Sequence, residues 1–377
     1  MAAQDAVAVT GTGLIDHVTN VADFIWGGTW NGVSVLPLPP MVVLLFGLGA
    51  WFMIGLRLST ALSGQVGTGN LAGVATAIAL GGPGAIFWMW ITAILGMALA
   101  FAEGALAIRF REITPDGHYR GGPMTYIMYG LGPKWKWLAV LFTVGLLFSS
   151  LVTGNMIQAN SIGDSFQHLT GQEEWIGGVI TAIIVFVVII GGIRSIGHVA
   201  EKLVPTMAGL YILMALIALI LNYDELPATF RLIFDGAFNE QAATGGFLGA
   251  ALIMAIRAGV ARGLFSNEAG QGSTPIAHAV ARTTDPALQG RFAMMGTFID
   301  TIIVCTMTAL VILTVKGDFI ATDPVTGVVT PQLHAWSSDL RGFDMTAGAF
   351  AAVFPWEIGH IAFGALIASV ALVLFVF

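Results

Sequence analysis

Apolar segments about 20 residues long, the length needed to cross a bilayer, recur along the chain with few charges inside them. Nothing else in the sequence limits the fold as strongly. Eight such segments run over roughly 40–57, 62–80, 85–108, 137–161, 175–193, 203–222, 245–264 and 292–315, and a further apolar run extends from 346 to the end. Only 37 of 377 residues are charged, 10%, and 56% are hydrophobic. A soluble domain carries about 25% charged residues. The composition excludes a disordered chain, a nucleic-acid binder built on basic patches and nearly every soluble enzyme. No segment alternates with period two, so a β-barrel is not expected. Backbone groups in lipid must bond within their own segment, which makes these segments helices. The expected class is an all-α polytopic membrane protein.

The charges outside the segments are sorted by sign. Arg57, Arg109, Arg111, Arg120, Lys134, Lys136, Arg194, Lys202, Arg282 and Arg291 occupy alternate loops. The other loops carry only Arg231, Lys316 and Arg341, with acidic residues from Asp164 and Glu173 to Asp339 and Asp344. By the positive-inside rule the N-terminus is extracytoplasmic and the first inter-span loop is inside. The stretch 14–34 is expected as an interfacial helix. No Lys or Arg precedes Arg57, so no cleavable signal is expected. The single Cys305 allows no internal disulfide and no metal cluster through sulfur. The chain ends on SVALVLFVF with no polar closing residue, and the expectation is a C-terminally truncated protein.

Two of the expected spans are interrupted. The first carries Ser63-Gly64-Gln65-Val66-Gly67-Thr68-Gly69-Asn70, and the second Gly263 through Thr274 followed by Pro275. Each glycine costs roughly 1 kcal/mol against alanine in a helix. Broken spans in corresponding positions of two halves point to a transporter site. Counting from the second span, one repeat takes five spans, 62–222, and the second begins at 245 and holds three. Five is odd, so the second repeat enters from the opposite face and is inverted. Unwinding frees N–H groups that can hold a carboxylate. The freed carbonyls, with Asn70 and nearby hydroxyls, offer hard oxygen ligands to a small cation such as Na⁺. Gly73, Gly81, Gly82 and Gly84 are read as small-residue packing surfaces.

Asp300 lies mid-span in TFIDTIIVCTMTAL and must be paired, protonated or bound to a cation. Thr301 and Thr306 are expected to bond back to their own helix. Glu103 is expected to pair with Arg109, Arg257 or Arg262, or to relay protons, and Glu268 with Arg262 to form an inner gate. Gln158 shares a helix face with Asn155, and either a substrate-facing or a structural role fits it. Trp88 and Trp90 are read as interfacial anchors.

The stretch VGTGNLAGVATAIALGGPGAIFWMWITAILGMALAFAEGALAIRFRE closely resembles the hallmark of the alanine or glycine:cation symporter family. So do YRGGPMTYI, GGIRSIGHVAEKLVP, RGLFSNEAGQGSTPIAHAVART and QGxxxMxGTFIDTIIVCTMTALVI. The resemblance implies a LeuT-like fold of two inverted five-helix repeats behind one extra helix, 40–58, with 1–39 as an extracytoplasmic segment and an incomplete second repeat, 245–377. It implies Na⁺-coupled uptake of alanine or glycine across the bacterial inner membrane, with H⁺ as an alternative cation, no other cofactor and no nucleic-acid partner. It puts the substrate carboxylate at Thr68, Gly69 and Asn70, and Gln158, Phe265, Ser266 and Asn267 around the amino acid. Asn70 becomes a Na⁺ ligand, with the carbonyls of Ser63 and Val66 as candidates for a second cation site; Asp300 joins the cation-binding set as the mid-span acid. A pocket closed by Phe265 would admit only hydrogen or methyl as side chain. Family members continue past LFVF into further spans, so a transport-incompetent fragment is the competing reading. The third, a membrane-embedded hydrolase, would have to rest on Ser266 and His278, twelve residues apart and without a supporting motif.

Overall fold

The apolar segments fold as helices, because only intrasegment hydrogen bonding satisfies their backbone in lipid. The computed structural model of the chain describes residues 29–30, 33–34, 67, 69–115, 117, 119–238, 248–323 and 327–354. The expected span 40–57, the residues Ser63, Val66 and Thr68, and the apolar end 355–377 lie outside them.

A short hairpin pairs β1, Thr29–Trp30, with β2, Val33–Ser34. The end of the stretch expected as an interfacial helix is therefore extended. A π-helical segment, Gly69–Gly73, then runs into α1, Val74–Gly81. After a turn at Gly82–Gly84 the chain enters α2, Ala85–Arg109. Strands β3, Glu112–Ile113, and β4, Tyr119–Arg120, form a second hairpin. Helix α3, Pro123–Tyr126, passes through a π segment, Ile127–Leu131, toward α4, Lys136–Ser149. A π segment, Ser150–Met156, joins α4 to α5, Ile157–Thr170. The single segment expected over 137–161 is thus longer, and it is widened in its middle.

Helices α6, Glu174–Ile190, and α7, Gly192–Leu221, follow with one residue between them. The basic loop expected around Arg194 and Lys202 is instead the first part of α7. The backbone bends by 77° between Ala208–Leu221 and Tyr223–Phe238. Helix α8, Leu226–Phe238, therefore leaves the axis of α7 and does not prolong it. Helix α9, Leu248–Asn267, is separated by an irregular loop from α10, Thr274–Ala279. Helix α11, Pro286–Thr297, continues through a π segment, Phe298–Cys305, into α12, Thr306–Thr314. Asp285 caps α11, its Oδ1 accepting from the N–H groups of Ala287 and Leu288, with Pro286 at the first helical position. Strands β5, Lys316–Thr322, and β6, Val329–His334, form a third hairpin, and α13, Gly342–Val353, closes the described part. The fold is mostly helical, with hairpins at the ends of helices that the sequence reading did not anticipate.

Burial identifies the centre. Among the described residues, three helices are long and apolar enough to cross a membrane, Ala85–Arg109, Pro133–Val152 and Pro286–Thr314. In the last of these, 89% of the most apolar window is buried inside the protein, against 6% for Pro133–Val152. The run through α11 and α12 is thus the central post, whereas α4 presents Leu141, Val144, Leu147 and Phe148 outward. Around the post, Leu71, Val74, Ile78, Ile86, Met89, Tyr211, Ile233, Leu310, Ile312 and Phe350 form one continuous core.

Two of the glycines read as packing surfaces are that. A Cβ at Gly84 would lie 2.1 Å from the backbone of Gly236, so α8 docks backbone to backbone on the start of α2. Gly81 is similarly tight against Ala258. Gly73 faces open space, and Gly82 serves its positive φ of 69°. Phe87 packs against Phe234 and Phe238, Trp88 against Phe238, and Trp90 stacks on Phe230 across the same junction. The two tryptophans hold α8 to α2.

Candidate functional site: a buried carboxylate between two π-helical segments

A π-helical turn is wider than an α-turn, and it moves carbonyls out of the regular ladder. Two of the four π segments among the described residues face each other at the centre. Gly69–Gly73 carries Asn70, and Phe298–Cys305 carries Asp300. The freed groups are used. Asn70 Nδ2 donates to the Asp300 carbonyl at 3.0 Å and to Asp300 Oδ1 at 2.6 Å. Leu71, also in the first π segment, offers its carbonyl to Thr346 Oγ1 of α13 at 3.0 Å. Asn70 Oδ1 accepts from the Gly67 N–H at 2.7 Å, so the amide spans the break and the post at once.

The second interrupted segment supplies the rest. Helix α9 ends at Asn267, and the chain turns through Glu268, the only described non-glycine residue with positive φ, at 53°. Ser266 Oγ donates to Asp300 Oδ2 at 2.9 Å, as does Thr301 Oγ1 at 2.8 Å. Asn267 Nδ2 donates to Thr301 Oγ1 at 3.1 Å, and Asn267 Oδ1 accepts from the Ala269 N–H at 3.0 Å. Cys305 Sγ lies 3.4 Å from Asn70 Nδ2 and 3.2 Å from Ser266 Oγ. Asn70, Ser266, Asn267, Asp300, Thr301 and Cys305 are all at most 2% exposed.

The electrostatics follow from this inventory. Among the described residues, the donors bonded to the Asp300 carboxylate are an amide and two hydroxyls, all neutral. An ionised carboxylate buried among neutral groups costs several kcal/mol unless a cation or a proton neutralises it. The oxygens assembled here, from a carboxylate, a main-chain carbonyl and hydroxyls, are the hard ligands that alkali and alkaline-earth cations take.

The structure brings together Gly69, Asn70, Phe265, Ser266, Asn267 and Asp300 from the sequence-derived set. Gly69 lies directly against the second break, where a Cβ would stand 3.2 Å from Ser266 Cα and 3.4 Å from the Phe265 ring. Gln158 is buried in α5 at 7% exposure. The side chain of Asn155, and the residues Ser63, Val66 and Thr68, are outside the described set.

Several residues behave differently from the sequence reading. Thr301 and Thr306 do not bond back to their own helix. Thr301 serves Asp300, and Thr306 Oγ1 accepts from Trp90 Nε1 at 2.8 Å. Trp90 is half-buried beside the post, so its anchoring role at a lipid interface gives way to a structural one. Glu103 takes backbone N–H groups in place of an arginine partner, from Gly270 and Gly272 at 3.0 Å each. Glu268 accepts from Ser273 Oγ, while Arg262 lies 5.9 Å from the Phe265 ring, so the expected Glu268–Arg262 gate does not form. Ser266 is committed to Asp300 and His278 Nδ1 to Gln289, which leaves the proposed nucleophile and base with separate partners.

Cys305 and Thr346 were missed. A lone cysteine in an apolar run carries no signal of polar contact, and Thr346 reaches its acceptor across 275 residues of sequence.

Interrupted apolar helices around a buried, neutral-donor carboxylate define a multi-pass membrane protein of the transporter class. The chain belongs to the sodium:alanine symporter family, whose model matches residues 41–377. It is 39% identical to the sodium/alanine symporter AgcS of Methanococcus maripaludis over 96% of this chain and 80% of that protein. It is 46% identical to the putative sodium/proton-dependent alanine carrier protein YrbD of Bacillus subtilis, over 68% of this chain and 51% of that one. With the probable sodium/glutamine symporter GlnT of the same bacterium it shares 40% identity over 72% of this chain and 55% of GlnT. The chain thus spans between about half and four-fifths of the length of these relatives. The family is one of sodium-coupled amino-acid symporters and not of enzymes, which removes the hydrolase reading.

Proposed function

We propose that the protein is a secondary active transporter that carries alanine or glycine into the cell together with Na⁺. The observation that carries the reading is Asp300, wholly buried and, among the described residues, bonded only to neutral donors where two broken segments meet. A cation small enough to sit among these oxygens repays the cost of burying the charge. Asn70 and Asp300 hold the ion, with Ser266 and Thr301 beside it. The carbonyls of Ser63 and Val66 belong to a second cation site. The substrate carboxylate sits at the Thr68-Gly69-Asn70 break, where the Asn70 N–H donates to the Gly67 carbonyl at 3.1 Å in this structure. Phe265, Ser266 and Asn267 line the amino acid from the opposite side, with Gln158 from α5.

A compact pocket closed by Phe265 admits only hydrogen or methyl as the side chain of the substrate. The architecture is the LeuT-like pair of inverted repeats, 62–222 and 245–377, behind an extra helix, 40–58. The setting is the bacterial inner membrane, with the N-terminal segment extracytoplasmic.

Uptake into proteoliposomes tests the reading. Radiolabelled alanine or glycine should accumulate under an inward Na⁺ gradient, and glutamine should not compete at equal concentration. Uptake that is unchanged when K⁺ replaces Na⁺ at fixed pH contradicts Na⁺ coupling. Dependence on a pH gradient alone assigns the coupling to H⁺ instead.

A further inference from the structure

We propose that Glu103 and Arg111 form a two-point clamp on the second broken span and act as positioning residues for the cation centre. The inference rests on the function proposed above for that centre. It begins with two charges of opposite sign near one end of α2 that hold the two ends of one short helix.

Glu103 is buried in the last third of α2, at 9% exposure. Its Oε2 accepts the Gly270 N–H and its Oε1 the Gly272 N–H, each at 3.0 Å. Both glycines have positive φ, 82° and 80°, a conformation that side chains resist. The break between α9 and α10 strips these N–H groups of helical partners, and the carboxylate supplies the acceptors they lack. Bonds from N–H to a carboxylate are about twice as strong as those between neutral groups.

Arg111, just past the end of α2, takes the other end of α10. Its Nη1 donates to the carbonyl of Ala279 at 3.1 Å and also to that of Ala281, and its Nη2 donates to Thr283 at 2.7 Å. The guanidinium is held flat by the Tyr119 ring, 4.0 Å away. A negative charge stands at the N-terminal side of α10 and a positive charge at its C-terminal side, the sense a helix dipole favours.

The clamp reaches the centre through a short path. Gly270 adjoins Ala269, whose N–H bonds Asn267 Oδ1 at 3.0 Å. Asn267 bonds Thr301, and Thr301 bonds Asp300. Neither Glu103 nor Arg111 has a bond to Asp300; both act through the loop. Helix α2 also supports the other side of the centre, because Gly104 packs against Ala293 and the Gln289 carbonyl of α11. One helix thereby sets the spacing between the loop that presents Ser266 and Asn267 and the post that carries Asp300.

The test is hydrogen exchange and Na⁺-dependent melting on the purified protein and two variants, Glu103→Gln and Arg111→Lys. Glu103→Gln keeps one acceptor and turns a donor toward the second N–H. Exchange of 268–273 should accelerate in the absence of Na⁺. The Na⁺ concentration giving half-maximal stabilisation should rise about tenfold, the equivalent of one charged hydrogen bond. Arg111→Lys, which keeps the charge and loses the fork, should move both readouts in the same direction by less, and it serves alone if Glu103→Gln does not fold. Faster exchange with an unshifted Na⁺ midpoint reduces the pair to structural residues and overturns the proposal, as does unchanged exchange. A wild-type protein whose stability ignores Na⁺ overturns the proposed function, and with it the positioning role. In that case the exchange of 268–273 still decides whether the clamp itself exists.

Discussion

Asp300 receives its hydrogen bonds from side chains that can be removed one at a time. Asn70 is the most heavily used, since it bonds the carboxylate, the carbonyl of the same residue and the Gly67 N–H. Asn70→Ala should raise the Na⁺ concentration for half-maximal uptake at least tenfold, taking roughly 1.5–3 kcal/mol for a hydrogen bond to a charged group. Na⁺ titration of uptake checks this, and an unchanged midpoint removes Asn70 from the centre. Ser266→Ala leaves Asp300 with one donor fewer and should shift the midpoint in the same direction by less. At Gly69, substitution by valine should lower uptake severely while the protein still inserts in the membrane, because the added atoms meet Ser266 and Phe265. Membrane abundance measured beside uptake separates the two effects.

The elements explain which parts of this centre were legible in the sequence. Asn70, Ser266, Asn267 and Asp300 stood out because polar groups inside apolar spans are costly and need a reason. Glycine runs marked both interruptions for the same energetic cause. What could not be read was the helical register. A π turn shifts which carbonyls are free and which faces meet, and no periodicity argument finds one in a uniformly apolar stretch. Thr301 therefore looked like a back-bonding threonine, and Thr346 looked like ordinary α13 sequence. The partner of Glu103 was misread because backbone N–H groups leave no trace in residue types. The merging of 193–202 into α7 was hidden by Arg194, Lys202 and two glycines that resemble a loop.

These contacts make a prediction at the element scale. Thr346→Val keeps the shape and deletes the bond from α13 to the Leu71 carbonyl. Losing this buried hydrogen bond should cost about 1 kcal/mol, seen as a lower melting temperature and a weaker response to Na⁺. Full retention of both would show that α13 does not support the first π segment.

For the whole molecule, the central claim is that Na⁺ binds at Asp300 and so belongs to the folded state. Ligand that binds only the native protein stabilises it by about 2.7 kcal/mol at 100 times its dissociation constant. Alanine or glycine should add to the stabilisation when Na⁺ is present and have little effect without it, since coupling between two ligands is reciprocal. K⁺ or choline at the same ionic strength should leave the melting temperature unchanged, which separates a specific site from general salt screening. Asp300→Asn puts a neutral isostere in the same place and removes the charge that calls for a cation. The most direct measurement is the melting temperature of the purified wild type and Asp300→Asn proteins as Na⁺ replaces choline. The account predicts a saturable rise for the wild type and a flat response for the variant. A variant that folds and gains the same stability from Na⁺ as the wild type would contradict it.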